Sequence, residues 1–438
     1  MRDSPVMEGA RGHRAVPRLG DGVAAGLGVA WLVGLGLMLR HRLFVSHDTM
    51  INYAHVWFVS DRLWHGHGVP LRMPILGHGQ AFAFPYGVVP WLTAAILRPA
   101  LGDWVVTLWL VLGVAGMVVA TFFAFPELRR SWWAATLLIN PALVSAALIG
   151  QLPFTWGAAL LLAAVACWRR GRTGWAAVLA GLAQVTHPAV IVPLTLGLVA
   201  IWLRFEPDRP RLLRCYAVSL LPALPAVWLV FRSPVFQDSS TWVKAANFVT
   251  TLAPRALVLV LPAVLLGLRH RVRAARVGPV AFAAVAFLLA ASWQPLRLPA
   301  AWQALRRQPD TAMLAFVRSP EFEPGATYRV LRVPDFKVGM YQLLRAGGQL
   351  DSEFFPESIV RRSWSSPVEY SAFLRRRNVD YVMVWGGYDR AFHINEVQRL
   401  EDLAGRPPEA CEGPLVCLRR VEANPRFALY AVMREPST

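Results

Sequence analysis

The stretch Ser46-His47-Asp48-Thr49-Met50-Ile51-Asn52-Tyr53 puts a carboxylate, an imidazole and a carboxamide close together, shortly after an apolar run ends at Met38. Asp48, Asn52 and His55 are spaced i, i+4 and i+7, so a helix here carries all three on one face. Ile51, Trp57 and Phe58 then offer apolar surface to a membrane interface. A carboxylate where the chain leaves lipid can take a proton from an incoming hydroxyl, or orient it. An Asp ahead of a helical pattern can equally be an N-cap, accepting from backbone N–H groups two or three residues on. The two readings are compatible, because a capped carboxylate has a fixed direction. His47 has two readings as well: a phosphate-binding or carboxylate-tuning imidazole, or a solvated interfacial one.

Other polar residues interrupt apolar sequence further on. Gly150-Gln151-Leu152-Pro153 reads as a tight turn, and Thr186-His187-Pro188 breaks a long apolar stretch. Polar groups at membrane depth are costly and often functional. Pro188 frees backbone groups that need a cavity or a partner, which draws attention to His187, whose plainer reading is a hydrogen bond to a neighbouring helix. Trp242, Lys244 and Arg255 mark a later loop, where the two cations can meet a lipid phosphate or serve as interfacial anchors. His65, His67 and His78 sit among glycines without a metal-binding spacing, and there is no CxxC pair. A divalent metal therefore has no support in the sequence, and no cofactor is implied by it. Cys411 and Cys417 lie close enough in sequence to pair in an oxidising compartment.

The elements that must position these residues are mostly membrane segments. Of 438 residues, 55% are hydrophobic and 16% charged, with a mean hydropathy of +0.40. Apolar stretches cover 24–38, 104–125, 131–148, 153–168, 174–186, 188–203, 212–231, 255–268 and 277–294, about nine candidate spans, the shortest doubtful in length for roughly 30 Å of hydrocarbon. A further piece, Phe84 to Leu97, is short and holds Pro85 and Pro90, so it reads as re-entrant or interfacial. The first run reads as a retained signal anchor, since no small-residue cleavage site follows it. Residues 295–438 hold 20 Lys+Arg and 17 Asp+Glu, leaving 25 and 10 for residues 1–294 of the chain's 45 and 27. The formal charge of +18 is thus mainly a topology signal. With the N-terminus in the cytoplasm, the arginine-rich loops at 129–130, 169–172, 204–214 and 269–276 all fall inside, as the positive-inside rule asks. The loop 40–103, the loop 232–254 and the C-terminal region then share the outer side. A nucleic-acid partner is set aside, because the arginines cap apolar runs and form no stripe on a polar face.

Residues 295–438 read as a small α/β domain. Strand-like Tyr328–Val333, Val379–Trp385 and Phe427–Met433 alternate with helix-like Val368–Arg377 and Asn395–Leu403. Gly347-Gly348 and Gly386-Gly387 lack the surroundings of a phosphate loop and read as turns.

The order of these features resembles the GT-C membrane glycosyltransferases. It runs from the anchor through Ser46-His47-Asp48, Leu63-Trp64-His65-Gly66-His67-Gly68-Val69-Pro70 and Phe84-Pro85-Tyr86 to the Gly150-Gln151 turn. The loop Arg169-Arg170-Gly171-Arg172, then Ala180-Gly181-Leu182 and Thr186-His187-Pro188, continue the pattern. Phe373-Leu374, Val379-Asp380-Tyr381-Val382 and Phe427-Ala428-Leu429-Tyr430 resemble the outer domain of bacterial 6-pyruvoyl-tetrahydropterin-synthase-related membrane proteins. The likeness covers nearly the whole chain and rests on order and topology more than on a long exact motif.

The resemblance implies a polytopic α-helical membrane protein of about nine transmembrane helices. Its GT-C-like domain would be residues 1–294, with first outer loop 40–103, and residues 295–438 would form an extracytoplasmic α/β domain. It implies a cell-membrane enzyme that takes a sugar from a polyprenyl-phosphate donor and gives it to an extracytoplasmic glycan, lipid or protein. Asp48 inherits the catalytic role. His47, Gln151, His187, Lys244 and Arg255 become donor-binding candidates, and Asn52, Asp61, Tyr86 and Trp242 acceptor-binding ones. Many members carry a second acidic residue beside the first; His47 stands there in this chain, and Asp61 is the nearest other carboxylate. Two other classes use similar architecture. A non-catalytic assembly factor for cell-envelope glycans needs Asp48 at most as a cap. A lipid or solute transporter would be expected to show internal repeats and mid-membrane charges, and these spans are nearly free of Asp, Glu and Lys.

Overall fold

A computed structural model describes residues 19–46, 48–81, 89–129, 131–204, 206–232, 280–281, 283–284, 305–306, 310–332, 339–351, 364–392, 394–406, 415–424 and 426–433. The helical part begins with α1 (Leu19–Leu39) and α2 (Thr49–Trp64). A two-stranded antiparallel ribbon follows, β1 (Arg72–Met73) with β2 (Gln80–Ala81). Then come α3 (Val89–Leu101), α4 (Trp104–Ala124), α5 (Ser131–Leu138), α6 (Pro141–Ile149), α7 (Leu152–Arg169), α8 (Thr173–Thr186), α9 (Pro188–Trp202), α10 (Arg209–Leu220) and α11 (Ala223–Phe231).

Three of the described helices are long and apolar enough to cross a membrane: α1, α4 and α7. The apolar helices Val89–Leu101 and Val190–Trp202 are shorter. Two expected spans are each divided. The stretch 131–148 breaks into α5 and α6 because Pro141 disfavours helix at Asn140 and lacks an N–H; Leu143 N and Val144 N instead donate to Asn140 O to start α6. The stretch 212–231 breaks at Leu221-Pro222 into α10 and α11. Helix α10 starts earlier than its apolar part, at Arg209, with Asp208 accepting from Arg211 N. The candidate 255–268 and most of 277–294 lie outside the described residues.

The C-terminal part carries α12 (Thr311–Phe316), β3 (Thr327–Leu331), α13 (Met340–Arg345), β4 (Gln349–Leu350), α14 (Pro367–Arg376), β5 (Tyr381–Val384), α15 (Tyr388–Phe392), α16 (Glu396–Ala404), β6 (Cys417–Asn424) and β7 (Phe427–Met433). Five strands form one mixed sheet in the order β4-β3-β5-β7-β6. β3 runs parallel to both β4 and β5, with Tyr328 opposite Leu350 and Tyr381; β7 runs antiparallel to β5 and β6. Cys417, on β6, is disulfide-bonded, and Cys411 lies outside the described residues.

One apolar core joins the first loop to this sheet. Phe44, Met50, Tyr53, Met73, Leu76 and Trp91 pack with Met313, Tyr328, Leu343, Leu350 and Phe427. The backbone makes the same connection: Leu350 N donates to Ile75 O, and Gly77 N to Leu350 O, both over 2.9 Å. A charged junction reinforces it. Asp103, buried between α3 and α4, accepts from Arg98 Nη2 at 3.0 Å, from Tyr341 Oη at 2.7 Å and from Arg345 Nη1 at 3.0 Å. Within the described residues, Phe44–Tyr53, Met73–Gly77 and Trp91–Asp103 thus connect the helices to the sheet.

Candidate active site

The turn before α2 is built by hydroxyls. Ser46 N donates to Thr49 Oγ1 over 2.8 Å, closing the turn on which Asp48 sits. Ser46 Oγ and Asp48 N then both donate to Ile149 O, at 2.8 and 2.9 Å, so this turn docks on the end of α6. The approach is close enough to need glycine next door. Gly150 has φ +80°, and a Cβ there would collide with Thr49 Cγ2 and Ser46 Oγ.

Asp48 occupies the N-cap position of α2 with φ −102° and ψ −10°, and its carboxylate makes no capping hydrogen bond. Burial leaves it only 8% exposed. A helix start supplies positive potential to a carboxylate without consuming its oxygens.

Asn52, one turn on, fixes this geometry. Its Nδ2 donates 2.9 Å to Asp48 O and 2.9 Å to Gly150 O, and its Oδ1 accepts from Trp91 Nε1 at 3.0 Å. Both amide protons are thus spent inside the fold, and Asn52 is 2% exposed. Asn52, expected from the sequence on the acceptor side, holds the turn that carries Asp48 through these bonds. His55 completes the helix face by stacking on Trp91 with ring centroids 4.0 Å apart. Its Nδ1 bonds to Ile51 O at 2.9 Å. Trp91 is the residue that sequence reasoning passed over. Its only signal is an aromatic in a proline-interrupted apolar piece.

Gln151 and His187 stand on the far side of the same turn. Gln151 is the buried N-cap residue of α7, three residues before Phe154, whose ring meets His187 edge-on at 6.1 Å. His187, 2% exposed, lies at the break between α8 and α9, and its carbonyl accepts from Val190 N and Ile191 N to begin α9. The turn at Ile149–Gln151 thus receives Asp48 and Asn52 from the start of α2, while His187 meets Phe154 on the first turn of α7.

Asp61 does not join them. It lies 13 residues along α2 from Asp48, about 20 Å at 1.5 Å per residue. There it is exposed, with His65 Nδ1 3.4 Å from its carboxylate. Asp61 is thus too far away to work with Asp48 as a carboxylate pair. His47, Tyr86, Trp242, Lys244 and Arg255 fall outside the described residues. Among the described residues, no group of three or more His, Cys, Asp and Glu side chains is arranged to hold a metal ion.

No protein-family model and no curated protein matches the chain. Among solved structures it is similar to the archaeal oligosaccharyltransferase AglB from Archaeoglobus fulgidus, solved in complex with an inhibitory peptide and a dolichol-phosphate. That likeness has 12% identity and a TM-score of 0.46, covering 83% of this chain and 69% of AglB. It is also similar to ArnT from Cupriavidus metallidurans in the apo state, with 14% identity and a TM-score of 0.43, covering 94% of this chain and 98% of ArnT.

Proposed function

We propose that this chain is an integral membrane glycosyltransferase that moves a sugar from a polyprenyl-phosphate donor to an extracytoplasmic glycan, lipid or protein, with Asp48 as base. The observation that carries the reading is Asp48 itself. It is a buried carboxylate at a helix start, its backbone pinned by Ile149 and Asn52. Such pinning is expected of a group that must meet a reacting atom in a fixed direction. It is more than an N-cap requires.

In the reaction, Asp48 takes the proton of the acceptor hydroxyl as its oxygen attacks the anomeric carbon. The bond from that carbon to the donor phosphate oxygen breaks, and polyprenyl phosphate leaves with the electron pair. His187 and Gln151, across the turn, are assigned to the donor side. Lys244 and Arg255, with His47, are assigned to the leaving phosphate, where positive charge lowers the barrier. Tyr86 and Trp242 are assigned to the acceptor. The unit 295–438 is assigned to acceptor grip on the outer side.

The test is sugar transfer from radiolabelled polyprenyl-phosphate donors in membranes carrying wild type or Asp48→Asn, at matched protein levels. Transfer should fall about 10²–10⁴-fold in Asp48→Asn, the span of a positioned proton transfer. Equal transfer by both proteins, or none by wild type across a broad donor panel, would replace this reading with the assembly-factor one.

A further inference from the structure

Away from Asp48, helices α7, α8, α9 and α10 line an open groove with a cavity volume of about 70 Å³. Leu161, Trp168, Ala180, Leu198, Trp202 and Tyr216 supply its walls. Its Thr and Ser hydroxyls are turned away. Thr195 Oγ1 donates to Ile191 O at 2.6 Å and Ser219 Oγ to Tyr216 O at 2.7 Å, so both satisfy their own helices and leave an apolar surface. The small side chains of Ala176 and Ala180 on α8 keep the space open. The neighbouring outer faces are apolar too: Trp175 on α8 and Val218 on α10 are largely exposed.

One end of the groove is strongly basic. Trp168 is followed by Arg170 and Arg172, Trp202 by Arg204, and Leu212 is flanked by Arg209, Arg211 and Arg214. Arg211 Nη2 reaches Gly171 O at 3.3 Å and Thr173 Oγ1 at 3.4 Å, which brings the α10 arginines onto the turn before α8. The charge of Arg211 also reaches Cys215, a lining residue. The two acids of this stretch are spent locally: Glu206 accepts from Trp168 Nε1 at 3.2 Å, and Asp208 caps α10. Arg172, Arg204 and Arg214 are exposed.

We infer that this groove binds an anionic phospholipid, one acyl chain between α8 and α9 and its phosphate among the arginines of the 170–172 turn and α10. Basic pockets between membrane helices recognise such headgroups. The aromatic rings of Trp168 and Trp202 lie where chain gives way to headgroup, a depth that indole favours. The site rests on the membrane reading of the chain and is independent of sugar transfer.

The test uses the full chain in detergent, with dioleoyl-phosphatidylglycerol, dioleoyl-phosphatidylcholine or inorganic phosphate added, read by native mass spectrometry and thermal unfolding. Wild type, and equally Asp48→Asn, should retain phosphatidylglycerol about tenfold better than phosphatidylcholine and gain more Tm from it, with no gain from inorganic phosphate. The Arg172→Gln/Arg204→Gln/Arg214→Gln variant changes three exposed side chains and should bring the two lipids to near parity. Ala180→Trp should lower retention of both by filling the groove. Equal retention of the two lipids by wild type, a preference that survives in the triple variant, or a Tm gain from inorganic phosphate alone would overturn the site.

Discussion

Asn52 Nδ2 and Gly150 O meet at 2.9 Å across 98 residues of sequence, and the same amide holds Asp48 O at 2.9 Å. One carboxamide thereby sets the distance between the start of α2 and the turn into α7. Asn52→Leu removes both donors and the acceptor of the Trp91 indole, and a lost bond to a buried polar group costs about 1–3 kcal/mol. Steady-state transfer assays should show kcat reduced and acceptor KM nearly unchanged. A large rise in KM with kcat intact would return Asn52 to the acceptor-binding role.

Gly150→Ala should be among the most damaging single-methyl additions in the chain. Gly150 and Gly66 share a left-handed backbone, with φ +80° and +77°, but nothing lies within 4 Å of a Cβ at Gly66. Gly66→Ala thus reports conformational strain alone, about 1–2 kcal/mol. Gly150→Ala adds a collision with the Ser46–Thr49 turn. Thermal unfolding in one detergent should show a clearly larger Tm loss for Gly150→Ala, accompanied by lost activity; equal losses would mean that the turn gives way freely.

Much of this architecture was legible because apolar length and strand alternation are local signals. The run read at 104–125 is helix Trp104–Ala124, and the strand read at Phe427–Met433 stands at those residues. The spacing put Asp48, Asn52 and His55 on one helix, but the first two turns of that helix are buried all round. Ile51 is buried with them, although the sequence pattern offers it to the membrane interface. Hydropathy alone did not see Pro141 dividing its apolar stretch, since the helices on its two sides are similarly apolar. The partners of Asn52 were not legible either. Gly150 and Trp91 reach it through tertiary packing, 98 and 39 residues away, and no periodicity encodes that contact. For the same reason, Asp61 looked like a neighbour of Asp48 in sequence, while the rise of an uninterrupted helix carries it away.

Asp103→Asn should loosen the sheet from the helices without unfolding either. The carboxylate answers two guanidiniums and the Tyr341 hydroxyl, and Arg98 is mostly buried with it. Replacing it leaves Arg98 without its counter-charge, at several kcal/mol in such a setting. Hydrogen exchange should accelerate in α13, at Met340–Arg345, while β5 and β7 stay protected. Uniform acceleration through the whole sheet would show that the junction stabilises the fold globally.

Within the sheet unit, Arg329 on β3 is fully buried between Asp351 and Glu396. Its Nη2 donates to Glu396 Oε2 at 3.0 Å, and its guanidinium lies over the Phe373 ring at 4.6 Å. Burial alone would lower its pKa, but the two carboxylates hold it well above the ordinary value. Tyr370 Oη also donates to Glu396, at 3.0 Å. Glu396→Gln keeps the shape and removes one charge, so it should cost about 3–5 kcal/mol, as breaking a buried pair does. The Tm of the whole chain, read beside the exposed-pair variant Asp402→Asn, checks this; an equal small change in both would deny the buried pair its role.

His78 gives the fold a pH dependence of defined sign. It sits beside β4 in a left-handed backbone with φ +57°, keeping part of its side chain in solvent. Partial burial lowers its pKa from the ordinary 6.5, helped by Arg377 and opposed by Asp351. The folded protein therefore binds this proton less readily than the unfolded chain does. Its contribution is present above about pH 6.5 and is lost as pH falls through that value toward the lower folded pKa. Asparagine tolerates the same backbone and does not titrate. Between about pH 7.5 and 5.5, wild type should lose more Tm than His78→Asn, the ordinary histidine pKa falling between the two. Equal losses would place the acid sensitivity in other groups.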